Sequence, residues 1–292
     1  IVKINPDPII TTLFTGGSFC PGATISISFT SAITFNGSNV FSVELSGASG
    51  DFSSPTTIGS STGTGSGTIS AMIPLTAAAG TGYRVRVVGS SPSVICEDNG
   101  TDITVHPSPT ASVTAAGPVT FCAGDSVRLD ATTGSGWTYQ WQLGGTDISG
   151  ATGASHTATA AGDYRVIVSN THGCTDTSSV ITVTIHPSPT ASISAAGPVT
   201  FCAGGSVRLD ATTGTGWTYQ WQKDTADITG GTGASHTATT AGDYRVIVTN
   251  THGCTDTSSV ITVTIHPSPS ASVTAAGPVT FCAGGSVRLD AT

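Results

Sequence analysis

The chain has 292 residues, among them 37 Gly and 7 Cys, and its 9 Lys+Arg against 17 Asp+Glu give a formal charge of −8. Only 9% of residues are charged, where roughly a quarter is usual, and the scattered basic residues form no patch for nucleic acid or anionic lipid. No apolar run approaches the ~20 residues of a membrane-spanning helix, and the regular alternation of Val, Ile, Tyr and Trp with Thr and Ser excludes disorder.

In chain order, Ile1–Ile4 before NPDP parallels the ITVTI before HPSP further on, so it is expected to be the tail of a strand in a preceding domain. Residues 5–105 then read as one β-sandwich domain. Its strands are expected at Thr24–Thr30, Val40–Leu45, Thr68–Ile73, Tyr83–Val88 and Asp102–Val105, with Gly59–Gly67 (GSSTGTGSG) as a flexible connection. The segment opening on HPSP at His106 recurs at His186 and His266. Copies 106–185 and 186–265 differ at 12 positions, four of them consecutive at Leu143–Thr146, which marks an exposed loop. A repeat of this length is a complete domain.

Within 106–185, period-2 alternation predicts strands at Thr110–Ala115, Ser126–Ala131, Trp137–Gln142, Ser155–Thr159, Asp163–Val168 and Val180–Ile185. Trp137, Tyr139 and Trp141 share one face, and Tyr164 after Gly-Asp reads as a corner tyrosine, as does Tyr244 in the next copy. Residues 266–292 start a further copy. Short strands separated by Gly-rich turns, with no helical period, predict an all-β chain of tandem immunoglobulin-like sandwiches arranged as a rod, with the H-P-S-P junctions held extended by alternate prolines. The chain opens on Ile1 rather than Met and stops inside a repeat, so both ends are expected to fall within a longer protein.

The motifs FCAGDSVRLDA (Phe121–Ala131), YQWQ (Tyr139–Gln142), AGDYRVIVSNTHGC (Ala161–Cys174) and SSVITVTI (Ser178–Ile185) resemble the bacterial Ig-like domains of very large surface proteins of Bacteroidota. CPGATISISFT (Cys20–Thr30), NVFSVELSGASGDF (Asn39–Phe52), GTISAMIP (Gly67–Pro74), GYRVRVVGSSP (Gly82–Pro92) and DNGTDITV (Asp98–Val105) resemble a companion domain of the same proteins. The resemblance implies type IX secretion, an extracellular or cell-surface location, and a part in adhesion, gliding or surface fibres. The function expected is that of a non-enzymatic stalk or filament; the alternative is a set of accessory carbohydrate-binding or spacer modules of a secreted polysaccharide-degrading enzyme. Expected partners are further copies of its own domains or chains, and surfaces or glycans.

The cysteines pair by arithmetic within each domain: Cys20 with Cys96, Cys122 with Cys174, and Cys202 with Cys254, leaving Cys282 without a mate. No Cys-x-x-Cys zinc pattern or Ser elbow appears, and His156 and His172, which recur as His236 and His252, read as surface strand and turn residues. Glu97, Asp98 and Asp102, around Asn99-Gly100, form an acidic loop that could take calcium but fits a plain Asx turn better. Thr225 and Ser126, and less closely Thr177 and Thr257, match the Asp-Ser/Thr acceptor of Bacteroidota O-glycosylation.

Overall fold

The computed structural model describes residues 10–292, so the strand expected at Ile1–Ile4 lies outside the described residues. Those residues form strands, turns and coil with no helix. They cluster into two compact units, one running up to Val119 and including Ser126–Val183, the other made of Thr120–Asp125 with Thr184–Thr292.

The second unit contains the whole copy 186–265. One sheet is ordered Ile193–Ala195, Val207–Ala211, Ser235–Ala238, all antiparallel. The facing sheet runs Thr200–Cys202, Ile261–His266, Gly242–Thr249, Thr218–Lys223, Ala226–Asp227, with Thr255–Thr257 also on Gly242–Thr249. Thr200–Cys202 alone is parallel to its neighbour, Ile261–His266. An opening strand that begins in one sheet and ends in the other, parallel to the last strand, is an immunoglobulin-like arrangement. Gly197-Pro198 makes the crossing: proline brings no N–H to the ladder, so pairing breaks there and resumes opposite. Sequence periodicity found only the first half of this strand, because Thr200–Cys202 is too short to alternate.

The core gathers Val207, Leu209, Trp221, Ala238, Tyr244, Val246, Val248 and Val263. They come from alternate positions, as in Gly242–Thr249, whose residues switch between buried and half-buried. Trp221 is fully buried, and its indole N–H donates to Gly233 O at 2.9 Å. Burying a ring of that size contributes about 5 kcal/mol as an upper bound. Gln222 is also buried; its amide donates to Asp227 and its carbonyl accepts from Arg245 Nε, both at 2.7 Å, and among the described residues no buried side-chain N or O atom goes without a partner.

The first unit repeats these pairings in Val113–Ala115, Val127–Ala131 and Ser155–Ala158, and in Thr138–Leu143 against Gly162–Ser169. Residues 110–112 leave the expected strand because the Ala111 N–H is taken by Asp176 Oδ2 at 2.8 Å. The same unit holds a sandwich around Ile27, Phe41, Val43, Ile69, Val85, Val87 and Ile103, with sheets ordered Ile10–Leu13, Thr24–Ser31, Gly67–Met72 and Thr56–Thr62, Val40–Leu45, Val85–Ser90, Ser93–Ile95. Gly17–Phe19 lies parallel to Ile103–Val105.

Two expectations are corrected here. Gly59–Gly67 is a connection only over residues 63–66: Gly59–Thr62 belongs to the strand Thr56–Thr62, and a Cβ on Gly59 would sit 2.5 Å from Ser70 O, so that glycine serves close packing. The strand expected at Tyr83–Val88 is split at Arg84, whose N–H donates to Ser46 Oγ at 2.8 Å instead of to a ladder.

Tyr164 and Tyr244 are 2% exposed, and their hydroxyls donate to the carbonyls of Ala160 and Thr240 at 3.0 and 2.9 Å. Tyr83 does the same with Ala78 O at 2.9 Å, a third corner that the sequence reading passed over. Tyr164→Phe is expected to cost about 1 kcal/mol, read as a lower urea midpoint at unchanged m-value.

His156 and His236 are not surface residues. Each is half-buried, with ring centroids 5.7–5.8 Å from a core tryptophan (Trp141 or Trp221) and from the corner tyrosine. Burial holds both imidazole pKa values below the ordinary 6.5. The folded form therefore favours the neutral ring, and the unfolded chain binds more protons. Stability should be full above the unfolded value and decline as pH falls below about 6.5. Melting temperature measured from pH 8 to pH 5 is expected to fall, and less steeply in the His156→Gln/His236→Gln double variant.

Candidate functional site: the joint between consecutive sandwiches

The disulfides do not close within repeats. Cys20 bonds Cys174 across 154 residues and Cys122 bonds Cys254 across 132. The expected pairs Cys20–Cys96, Cys122–Cys174 and Cys202–Cys254 are thus corrected, and Cys96, Cys202 and Cys282 carry free thiols.

Copy 186–265 shows the physical reason. Cys202 ends its strand opposite His266, where the chain leaves the sandwich. Cys254 lies in the turn beyond Thr249, at the other end of Gly242–Thr249. Eight residues of strand at ~3.3 Å each set these two thiols roughly 25 Å apart, while a disulfide needs Cα atoms within about 7 Å. The bonded pairs have Cα separations of 5.3 and 5.5 Å. Cys96 packs beside the N-terminal core, and burial pushes its thiol pKa up, away from reactivity.

Around the first disulfide, the N–H of His106 donates to Phe19 O at 2.8 Å, so the departing chain runs alongside Cys20. The His106 ring stacks on His172 with centroids 3.9 Å apart. Asn170 organises the turn: its Oδ1 accepts from the N–H groups of His172 and Cys174 at 3.0 Å each, and its Nδ2 donates to Pro107 O at 2.7 Å. Asp176 holds the Ala111 N–H, as described.

The second unit repeats every element. Cys122–Cys254 is flanked by a His186–His252 stack at 3.7 Å, Asn250 Nδ2 donating to Pro187 O at 2.8 Å, and Ala191 N–H donating to Asp256 Oδ2 at 2.8 Å. Asn170, His172, Cys174 and Asp176 stand at every second position, and all four serve the joint. That alternation of functional side chains was a readable signal in N-T-H-G-C-T-D. Sequence reasoning placed His172 in an exposed turn, where it is, but missed its stack on His106 and treated THGC as a turn with one cysteine.

The other candidate residues separate. Asp98 and Asp102 both pair with Arg84, at 3.4 and 3.0 Å, and Asp98 also accepts the Gly100 N–H at 2.7 Å. The acidic loop thus pairs with a guanidinium and forms the expected Asx turn, and no group of three or more metal-ligating side chains forms among the described residues; Glu97 stands outside the Arg84 pairs. Ser126, Thr177, Thr225 and Thr257 are all exposed. Thr225 is at the tip of the turn joining Thr218–Lys223 to Ala226–Asp227, in the left-handed region with Asp224. Trp141 and Trp221 are core residues, whereas Trp137 and Trp217 are half-buried, their rings lying over Gly134 and Gly214. Among the described residues no helix is long and apolar enough to cross a membrane.

No protein-family model matches this chain, and no curated protein matches it significantly. Among solved structures it is similar to the ICAM-5 D1-D4 ectodomain fragment, at 13% identity and a TM-score of 0.41 over 88% of this chain and 76% of that one. It is also similar to extracellular domains 3-5 of Drosophila OTK, at 12% identity and a TM-score of 0.33 over 89% and 98%. A third likeness is to fibronectin(III)-like modules of Clostridium thermocellum CbhA, at 19% identity and a TM-score of 0.28 over 52% and 94%. The immunoglobulin-like assignment rests on strand order.

The bonding pattern makes a sharp expectation for thiol mapping. In Cys174→Ser, a single new alkylatable thiol should appear at Cys20 while Cys122 stays blocked. Pairing within repeats would release Cys122 instead.

Proposed function

We propose that this chain is a segment of a non-enzymatic stalk or filament in a large secreted bacterial cell-surface protein, with sandwiches meeting at 105/106, 185/186 and 265/266. The observation that carries this reading is the twice-repeated joint of disulfide, histidine stack and Asn/Asp clamps. Nothing in catalysis calls for identical fastenings at successive repeats, whereas a load-bearing or reach-extending array does. Disulfides of this kind persist in oxidising surroundings, which supports an extracellular location. The resemblance to Ig-like repeats of Bacteroidota surface proteins supports type IX export and a role in adhesion, gliding or surface fibres. Its partners on this reading are further copies of its own domains or chains, with surfaces or glycans as targets and Thr225, exposed at a turn tip in the variable loop, the first candidate for glycosylation.

A stalk needs joints that resist swivelling. Small-angle scattering of the full chain should give an elongated particle with a sharply defined maximum dimension. The Cys20→Ser/Cys122→Ser variant should broaden the distance distribution while keeping its circular dichroism. An oxidised chain as flexible as that variant would remove the reading.

A further inference from the structure

Cys202 is the third member of a series whose first two members are bonded. Cys20 follows a strand parallel to Ile103–Val105, while Cys122 and Cys202 each end such a strand opposite a histidine, His186 and His266. The Ala123 N–H donates to His186 O at 2.8 Å, and the Ala203 N–H donates to His266 O at the same distance. What differs is cover. Cys122 is half-buried and bonded, and Pro109 and Pro189 of the two fastened junctions are buried; Cys202 is exposed with a free thiol, and Pro269 is exposed. His266–Thr292 repeats 186–212 with three changes, at Ser270, Val273 and Thr274, so the residues beside Cys202 open another copy of the repeat.

We infer that Cys202, His266 and Pro267 are the receiving half of a third joint, and that its occupant is the N-T-H-G-C loop of the repeat copy that His266–Thr292 opens. The loop's asparagine donates to Pro267 O, its histidine stacks on His266, and its cysteine bonds Cys202. In that last step two thiols lose two protons and two electrons and one S–S bond forms; the electrons reduce a disulfide oxidant, such as glutathione disulfide, to two thiols. Neither Cys96, half-buried against a core, nor Cys282, which follows the same T-F sequence as Cys202, lies in an N-T-H-G-C loop. The inference rests on the joint and not on the stalk reading.

The test extends the full chain with a second copy of residues 213–265, completing the repeat opened at His266, and oxidises it with glutathione. A non-reducing digest should show Cys202 bonded to the added loop cysteine and Cys282 alkylatable, beside intact Cys20–Cys174 and Cys122–Cys254. Cys202 left alkylatable, bonded to Cys282, or joined to another chain's Cys202 overturns the inference; with the other two bonds intact, the stalk reading would stand. A second arm uses the chain as it is. A mixed disulfide of a peptide with the sequence of Asn250–Thr257 should exchange onto Cys202 about tenfold faster than onto Cys282, a difference of ~1.4 kcal/mol. Cys282 has the same flanking sequence, F-C-A-G-G, but no paired strand beside it, so it controls for chemical reactivity. Equal rates at the two thiols overturn the inference whether or not the extended chain folds.

Discussion

A joint crossed by one peptide strand can swivel; a joint crossed by two covalent links can at most hinge about the line between them. In this chain the second link is a disulfide placed beside the departing strand. Within the first unit Cys20 adjoins His106, so peptide and disulfide cross side by side; within the second, Cys122 pairs in register with His186. On the chain-entropy account, closing loops of 154 and 132 residues removes about 5 kcal/mol of unfolded-state freedom each. The side-chain clamps then act on what freedom remains. Asn170 and Asp176 hold the extended strap at Pro107 and Ala111, and His106, next to Pro107, stacks on His172. Alternate prolines in that strap had little freedom to lose.

This division of labour explains the modest cores. Each 80-residue repeat has one buried tryptophan, one corner tyrosine and a handful of Val and Leu around them. Domains of this size bury a smaller fraction of their surface than large ones do. An intra-sandwich disulfide is a common supplement at this scale. Here the cysteines supplement the joints instead, and the cores rely on satisfied polar groups such as Gln142, which bridges Asp147 and Arg165 at 2.6 Å each.

Much of the fold was legible because period-2 alternation reports burial directly. Val40–Leu45 was placed to the residue, and the Gly-Asp-Tyr motif gave the corner. The illegible parts have separate causes. Thr120–Cys122 and Thr200–Cys202 are three residues long, below the length at which alternation can be told from chance. Gly59 looked like flexibility because composition does not reveal a 2.5 Å approach. The cysteine pairing failed for a different reason. Arithmetic assumes that partners belong to one domain, whereas near-identical repeats give the same even spacing whether Cys122 looks to Cys174 or to Cys254. Only the placement of the two cysteines at opposite ends of a sandwich decides between them. The acidic loop formed its expected Asx turn, but its ion pair was illegible, because Arg84 is 14 residues from Asp98 in sequence.

The two disulfide rings overlap. One spans 20–174 and the other 122–254, so residues 122–174 belong to both. A single backbone cleavage anywhere between Cys20 and Cys254 therefore falls inside at least one closed ring and releases no fragment. Two cuts fare little better: a piece excised between residues 50 and 150 still carries Cys122 and stays tied to Cys254. An extracellular protease that nicks an exposed turn, such as the Leu143–Thr146 tip, leaves the covalent chain in one piece. Its durability comes from the connectivity of its crosslinks, over and above the stability of any one sandwich.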